Sequence, residues 1–265
     1  MELTVQGRAV YAHTGGQPFN PAKPAVVLIH GAGMDHTVWS LQTRYLAHHG
    51  RAVLAVDLPG HGRSAGAPLA GIDVLADWVR DLLDAAGAPR AALVGHSMGA
   101  LVALEAAARH PDRVEALALL GIAEKMPVHP DLLAAAIGDD PQAVELVTGW
   151  GFGPRGHVGG NAAPGLALVP TSRRLMRQAR PGVLGVDLAT CNAYARGADA
   201  AAAVTCPALF LLGALDRMTP AKAGRALAAR VKDSEVVVLP GVGHMVMVEA
   251  PDVTVDTLAV HLGAH

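Results

Sequence analysis

Short apolar runs of strand length alternate along this chain with longer stretches in which apolar residues recur every three or four positions. That alternation predicts parallel strands joined by crossover helices. The strand-like runs cover 3–13, read as two short strands around Gly7, then 25–30, 52–56, 90–95, 114–120, 207–213 and 235–240. Runs such as AVVLIH and VEALALL are apolar without a break, which suits strands covered on both faces. Between them, residues 72–86 put Ile72, Leu75, Ala76, Val79, Leu82, Leu83 and Ala86 on one stripe and stop at Gly87, the pattern of an amphipathic surface helix. Residues 98–108 are apolar almost all round, so a helix there must lie buried against the sheet. Thr219 before Pro220 reads as a helix start, with a capping hydroxyl and a proline in the first turn, and 251–262 reads as a closing helix.

The alternation breaks between 122 and 203. Helical patterns at 131–137, 141–149, 171–179 and 183–195 flank the stretch 151–165, whose six glycines and two prolines are loop composition. The expectation is a helical cap inserted over 122–203 in a core built from 1–121 and 204–265. No repeat of solenoid period is present.

Composition narrows the function. With 51% apolar and 17% charged residues, the 265-residue chain can bury a sizeable core, and disordered or fibrous classes are excluded. Aromatic residues make up only 3%, leaving Ala, Val and Leu to do the packing. Twenty-one basic and 23 acidic residues leave a formal charge of −2, which is no footprint for nucleic acid or anionic lipid. The first residues lack a basic segment followed by an apolar run, and no stretch of about 18 apolar residues occurs. The two cysteines, Cys191 and Cys206, form no disulfide framework or metal spacing. A cytoplasmic protein without membrane or nucleic-acid partners is expected, with a homodimer left open.

The sharpest chemical signal is Gly95-His96-Ser97-Met98-Gly99, placed where a strand ends and the buried helix begins. On so tight a turn the serine must adopt a strained backbone, and glycines two before and two after it let chains approach closely. Its hydroxyl then emerges at the carboxyl edge of the sheet beside a helix N-terminus, which favours developing negative charge. His30-Gly31-Ala32-Gly33 follows an earlier strand, at the place from which a second loop supplies an amide to an oxyanion. The amides of Ala32 and Met98 are the candidate donors, with Gly33 as a substitute for Ala32. The same Gly-Ala-Gly could open a dinucleotide fingerprint, but the third glycine position is His36.

A serine needs a general base, and the base needs an acid to hold its tautomer. Asp216 and His244 follow the strands at 207–213 and 235–240, so a parallel sheet would bring both to the edge that carries Ser97. Glu124, after the strand at 114–120, is the rival acid. Of the 13 histidines, His48, His49, His110, His261 and His265 read as solvated, His129 and His157 fall in the cap, and His61 reads as structural. His30, Gly31, Gly33, Met34, Trp150, Met218 and Met245 are candidate pocket residues, with Trp39, Met126 and Phe152 near them. Arg173, Arg174, Arg177 and Arg180 could meet an acidic substrate group, although their spacing also fits one solvated helix face.

HGAG, DLPGHGRS (57–64), GHSMG, GALDRMTP and GVGHMVMVEAP, in this order and at these intervals, resemble the α/β-hydrolase superfamily. The resemblance spans nearly the whole chain. It implies a mostly parallel eight-stranded sheet with helices on both faces, Ser97 as nucleophile, His244 as base and Asp216 orienting it, with no metal and no organic cofactor. It implies hydrolysis of a small ester, a lactone or a carbon–carbon bond of a diketone-like compound through an acyl-serine. Two other readings use the same residues: a ligand-binding module with slow turnover, and a cofactor-free oxygenase, haloperoxidase or lyase that uses His244 alone.

Overall fold

A computed structural model describes residues 1–160, 165 and 167–264. Part of the glycine-rich stretch, and His265, lie outside the described residues. The strands are β1 (Glu2–Val5), β2 (Arg8–His13), β3 (Ala25–Ile29), β4 (Ala52–Val56), β5 (Ala91–His96), β6 (Val114–Leu120), β7 (Ala208–Gly213) and β8 (Ser234–Leu239). They form one sheet in the order β1-β2-β4-β3-β5-β6-β7-β8, antiparallel at β1–β2 and β2–β4 and parallel from β4 to β8.

The helices are α1 (Ser40–His48), α2 (Ile72–Ala86), α3 (Met98–Arg109), α4 (Pro130–Ile137), α5 (Gln142–Gly151), α6 (Pro154–His157), α7 (Leu168–Arg177), α8 (Val183–Ala193), α9 (Gly197–Ala203), α10 (Ala221–Ala228), α11 (Val246–Glu249) and α12 (Pro251–Leu262). Alternate residues of the strands β3 to β8 feed two cores, as a period of two requires. Val27, Ile29 and Leu93 pack with α2 and α3 on one face. Val26, Leu28 and Val94 pack with Leu46 of α1 and Leu258 of α12 on the other. Among the described residues, six helices, α4 to α9, lie between β6 and β7. Among the described residues no helix is long and apolar enough to cross a membrane.

Most predicted boundaries fall within a residue or two of the observed ones, and two readings need correction. The glycine-rich stretch is not all loop, since α5 runs to Gly151 and a short α6 follows. The helix expected to start at Pro220 begins at Ala221, with no side-chain cap. The Thr219 hydroxyl instead donates to Asp216 Oδ2 at 2.7 Å. A buried carboxylate requires donors more urgently than a solvated helix end requires a cap.

Strand β5 lies at the middle of the sheet and delivers Ser97 directly into α3. The close approach is made by glycines: a Cβ on Gly95 would overlap the Gly99 carbonyl, and a Cβ on Gly99 would overlap the Ile29 and His30 carbonyls of the neighbouring strand end. Both obstacles are backbone and cannot rotate away. Gly99→Ala gains about 1 kcal/mol in helix propensity, yet it is expected to destabilise the fold by about 3 kcal/mol net. A urea midpoint equal to or above that of the parent chain would contradict the close approach.

Candidate active site

Ser97 has φ +54° and ψ −118°, a backbone conformation that L-residues rarely adopt. Its amide donates to Leu120 O at 2.9 Å, tying the turn to β6. The Met98 amide opens α3, and neither it nor the Ala32 amide donates to another group among the described residues. Gly31 lies against the turn, where a Cβ would stand 2.9 Å from His96 Nδ1 and 3.2 Å from Ser97 Cβ. The loop after β3 and the turn after β5 therefore touch through a glycine.

Asp216 and His244 come from the loops after β7 and β8. His244 Nδ1 donates to Asp216 Oδ2 at 2.7 Å, and both side chains are buried. Asp216 Oδ1 accepts the amides of Met218 and Thr219, each at 2.8 Å, so this carboxylate is fully satisfied. Burial raises the Asp216 pKa, but the neighbouring His244 and these hydrogen bonds outweigh it and hold the carboxyl below its usual value. On the far side of the ring, His244 Nε2 is buried with no hydrogen-bond partner. Gly121 makes room for the imidazole, since a Cβ there would stand 3.0 Å from the ring. The rival acid Glu124 is turned away, 3.5 Å from Arg230.

The loop that carries His244 has its own anchor. Buried Glu249 accepts the Gly243 amide at 3.1 Å and, through Oε2, the Gly153 amide at 2.8 Å, joining the His244 loop to the start of α6. His96, next to the serine, donates from Nε2 to the His244 carbonyl at 3.0 Å. Burial and the neighbouring His244 push the His96 pKa down to about 3, which leaves its ring neutral.

Ser97 and His244 line one cavity of about 310 Å³. Met34, Trp150, Met218 and Met245 of the expected pocket residues line it too, with the candidate oxyanion donor Ala32, joined by Met126 and Phe152. His30, Gly31 and Gly33 do not. His30 is fully buried behind the wall, donating to Gly31 O at 2.8 Å and accepting from the Leu58 amide at 3.1 Å. Gly31 is pressed on the Ser97 turn, and the Gly33 amide is taken by Asp187 Oδ2 at 2.8 Å, which removes it as an alternative to Ala32. Trp39 lies in the core. Arg173 and Arg177 pair with Glu145, and Arg180 donates to Ser64 O, so these arginines serve the surface and the loop after β4. Of the histidines read as solvated, His261 is half-buried and bonded to Leu117 O, and His110 is paired with Asp77.

Among the described residues, Asp35, His36 and Asp57 are close enough together to share a cation. Their oxygens already accept the amides of His36, Thr37 and Arg63, so the donor set is occupied by the protein itself. A hydroxyl, an imidazole with one free nitrogen, a buried carboxylate and two free amides around one apolar cavity can shift a proton and hold an oxyanion without further groups.

The sequence profile of the Alpha/beta hydrolase family matches residues 26–257. The chain is 33% identical over 257 residues to a pimeloyl-[acyl-carrier protein] methyl ester esterase of Chromobacterium violaceum, covering 90% of this chain and 94% of that protein. It is also 33% identical, over 95% of its own length, to the dihydrolipoyllysine-residue acetyltransferase component of an acetoin cleaving system of Pseudomonas putida, and it spans 65% of that protein. Among solved structures, the enol-lactonase of Burkholderia xenovorans LB400 superposes with a TM-score of 0.88 at 25% identity, covering 99% of this chain and 100% of the other.

Proposed function

Because the chain belongs to the alpha/beta hydrolase family, we propose that it is a serine hydrolase of small carboxylic esters or lactones working through an acyl-serine. The observation that carries the reading is the buried, unpartnered Nε2 of His244 on the same cavity wall as Ser97, with its other nitrogen held by Asp216.

In the first half-reaction Ser97 Oγ forms a bond to the substrate carbonyl carbon while its proton passes to His244 Nε2. The amides of Ala32 and Met98 donate to the resulting oxyanion, a contribution of about 3 kcal/mol per donor. The bond from carbon to the leaving oxygen then breaks, and His244 returns the proton to that oxygen. In the second half water repeats the sequence, releasing the acid and restoring the serine. Asp216 keeps the hydrogen on Nδ1 and stabilises the imidazolium formed in both halves.

The segment 122–203 supplies Met126, Trp150, Phe152 and Leu188 to the cavity, so we assign it as a cap that selects the substrate by an apolar fit. The volume limits the acyl and alcohol parts to a small molecule. The names of an esterase and of an enol-lactonase among the relatives support ester and lactone substrates. The test is an alkyl fluorophosphonate with mass mapping, beside turnover of short p-nitrophenyl esters. One label on Ser97 with loss of steady turnover is expected. A single stoichiometric burst without turnover would mark a binding module, and activity surviving the label would mark chemistry that uses His244 alone.

A further inference from the structure

One carboxylate outside the Ser97 wall gathers three distant segments. Asp187 of α8 is 1% exposed, and its Oδ2 accepts the Gly33 amide at 2.8 Å while standing 2.8 Å from His61 Nε2. Gly33 follows Ala32 in the loop after β3, and His61 belongs to the loop after β4. The grip on Gly33 is also steric: at φ +65°, a Cβ there would stand 2.9 Å from Leu184 Cδ1 and 3.2 Å from Met176 Cε. Helices α7 and α8 thus press on the residue next to the candidate oxyanion donor.

The hydrogen-bond pattern suits an ion pair. His61 Nδ1 faces the Pro59 carbonyl at 3.0 Å and Nε2 faces the Asp187 carboxyl at 2.8 Å, so an imidazolium donates from both nitrogens to oxygens. The neighbouring His30 ring, 4.8 Å away, is the reverse case. It accepts from the Leu58 amide and donates to Gly31 O, so it holds one hydrogen and is neutral.

We propose that Asp187 and His61 are positioning residues for the oxyanion site: their buried ion pair clamps the 30–33 loop through the Gly33 amide, so the Ala32 amide is aimed only while α8 is docked and His61 keeps both hydrogens. The role of the Ala32 amide rests on the acyl-serine reading above. The charged and titratable groups around His61 are Asp187 from α8, Asp57 with its partner His36, neutral His30, and Arg180, whose guanidinium is bonded to the Ser64 and Gly66 carbonyls of the same loop.

Burial lowers the His61 pKa, and the Asp187 carboxylate, aided by the Pro59 carbonyl and Asp57, overrides it and holds the ring above the ordinary imidazole value. A raised imidazole pKa means the clamp is complete below the unfolded value of about 6.5 and is lost as pH rises through the folded value. Activity therefore acquires an alkaline limb that belongs to His61.

The experiment compares the parent chain with Asp187→Asn and His61→Gln in two measurements. Amide hydrogen exchange at fixed pH is expected to speed up at Gly33 in both variants, without any reference to catalysis. On a p-nitrophenyl ester, Asp187→Asn is expected to lower kcat about 10- to 100-fold with KM little changed, the signature of an interaction made in the transition state. His61→Gln keeps a donor toward Asp187 but does not titrate, so its profile is expected to lose the alkaline limb of the parent. Unchanged exchange at Gly33, a rise in KM alone, or an alkaline limb that persists in His61→Gln would each overturn the proposal. If Ser97→Ala retained turnover, the acyl-serine reading would fail while the exchange result still decided whether the clamp exists.

Discussion

Ser97→Ala is expected to lower turnover of a p-nitrophenyl ester about a millionfold while leaving the fold intact. The size follows from the division of labour at the cavity. In the proposed acyl-serine reaction Ser97 Oγ gives its proton to His244 Nε2, and without the serine water must attack directly, keeping only the help of the two amides and of binding. Stability is expected to stay level because alanine and serine carry the same Cβ at φ +54°. Glycine at this position should relieve that backbone strain. Ser97→Gly is therefore expected to be more stable than Ser97→Ala by about 1 kcal/mol, a difference that paired urea unfolding curves can read. A well-folded Ser97→Ala protein with parental turnover would remove the serine from the chemistry. Equal midpoints for the alanine and glycine variants would remove the strain.

The parts of this site that local grammar controls were legible in the chain. Ser97 announces itself because a strand, two spaced glycines and an apolar helix must occur together for the turn to close, and that combination is written in consecutive residues. Asp216 and His244 are legible for a related reason: a parallel sheet sends every loop after a strand to the same edge, so their position after β7 and β8 fixes their side of the molecule. Thr219 shows the limit. Its Thr-Pro sequence obeys helix-start rules, yet the hydroxyl turns to Asp216, a preference decided by burial that no short window contains. Asp187 lies further out of reach, 126 residues from His61 and 154 from Gly33. Its only local trace is a single acidic residue within the otherwise uncharged VLGVDLATCNA helix, which says that the charge is buried and paired but not with what. Because their loop enters the pocket, the sequence places His30, Gly31 and Gly33 on it. The loop reaches the cavity wall with Ala32 and Met34, while its glycines are used for close contacts behind.

Asp216→Asn is expected to lower kcat about 10⁴-fold at nearly unchanged size and fold, and the carboxylate's partners explain why an isostere fails. Oδ1 accepts two backbone amides, from Met218 and Thr219, and neither can reverse its role. The amide of the variant must therefore keep its oxygen at that position and put its NH₂ where Oδ2 now faces His244 Nδ1 and Thr219 Oγ1. An NH₂ donor there requires Nδ1 to accept, which moves the ring hydrogen to Nε2, and a protonated Nε2 cannot take the proton of Ser97. The same carboxylate makes a second measurement diagnostic. Its folded pKa is held below the unfolded value of about 3.9, so the stability it contributes is present above that pH and is lost as pH falls through the folded value. The parent chain is thus expected to be more stable than Asp216→Asn near neutrality, with the gap closing in acid. A variant with parental kcat, or a stability gap that widens as pH falls, would mean that the charge of Asp216 does not govern the His244 tautomer.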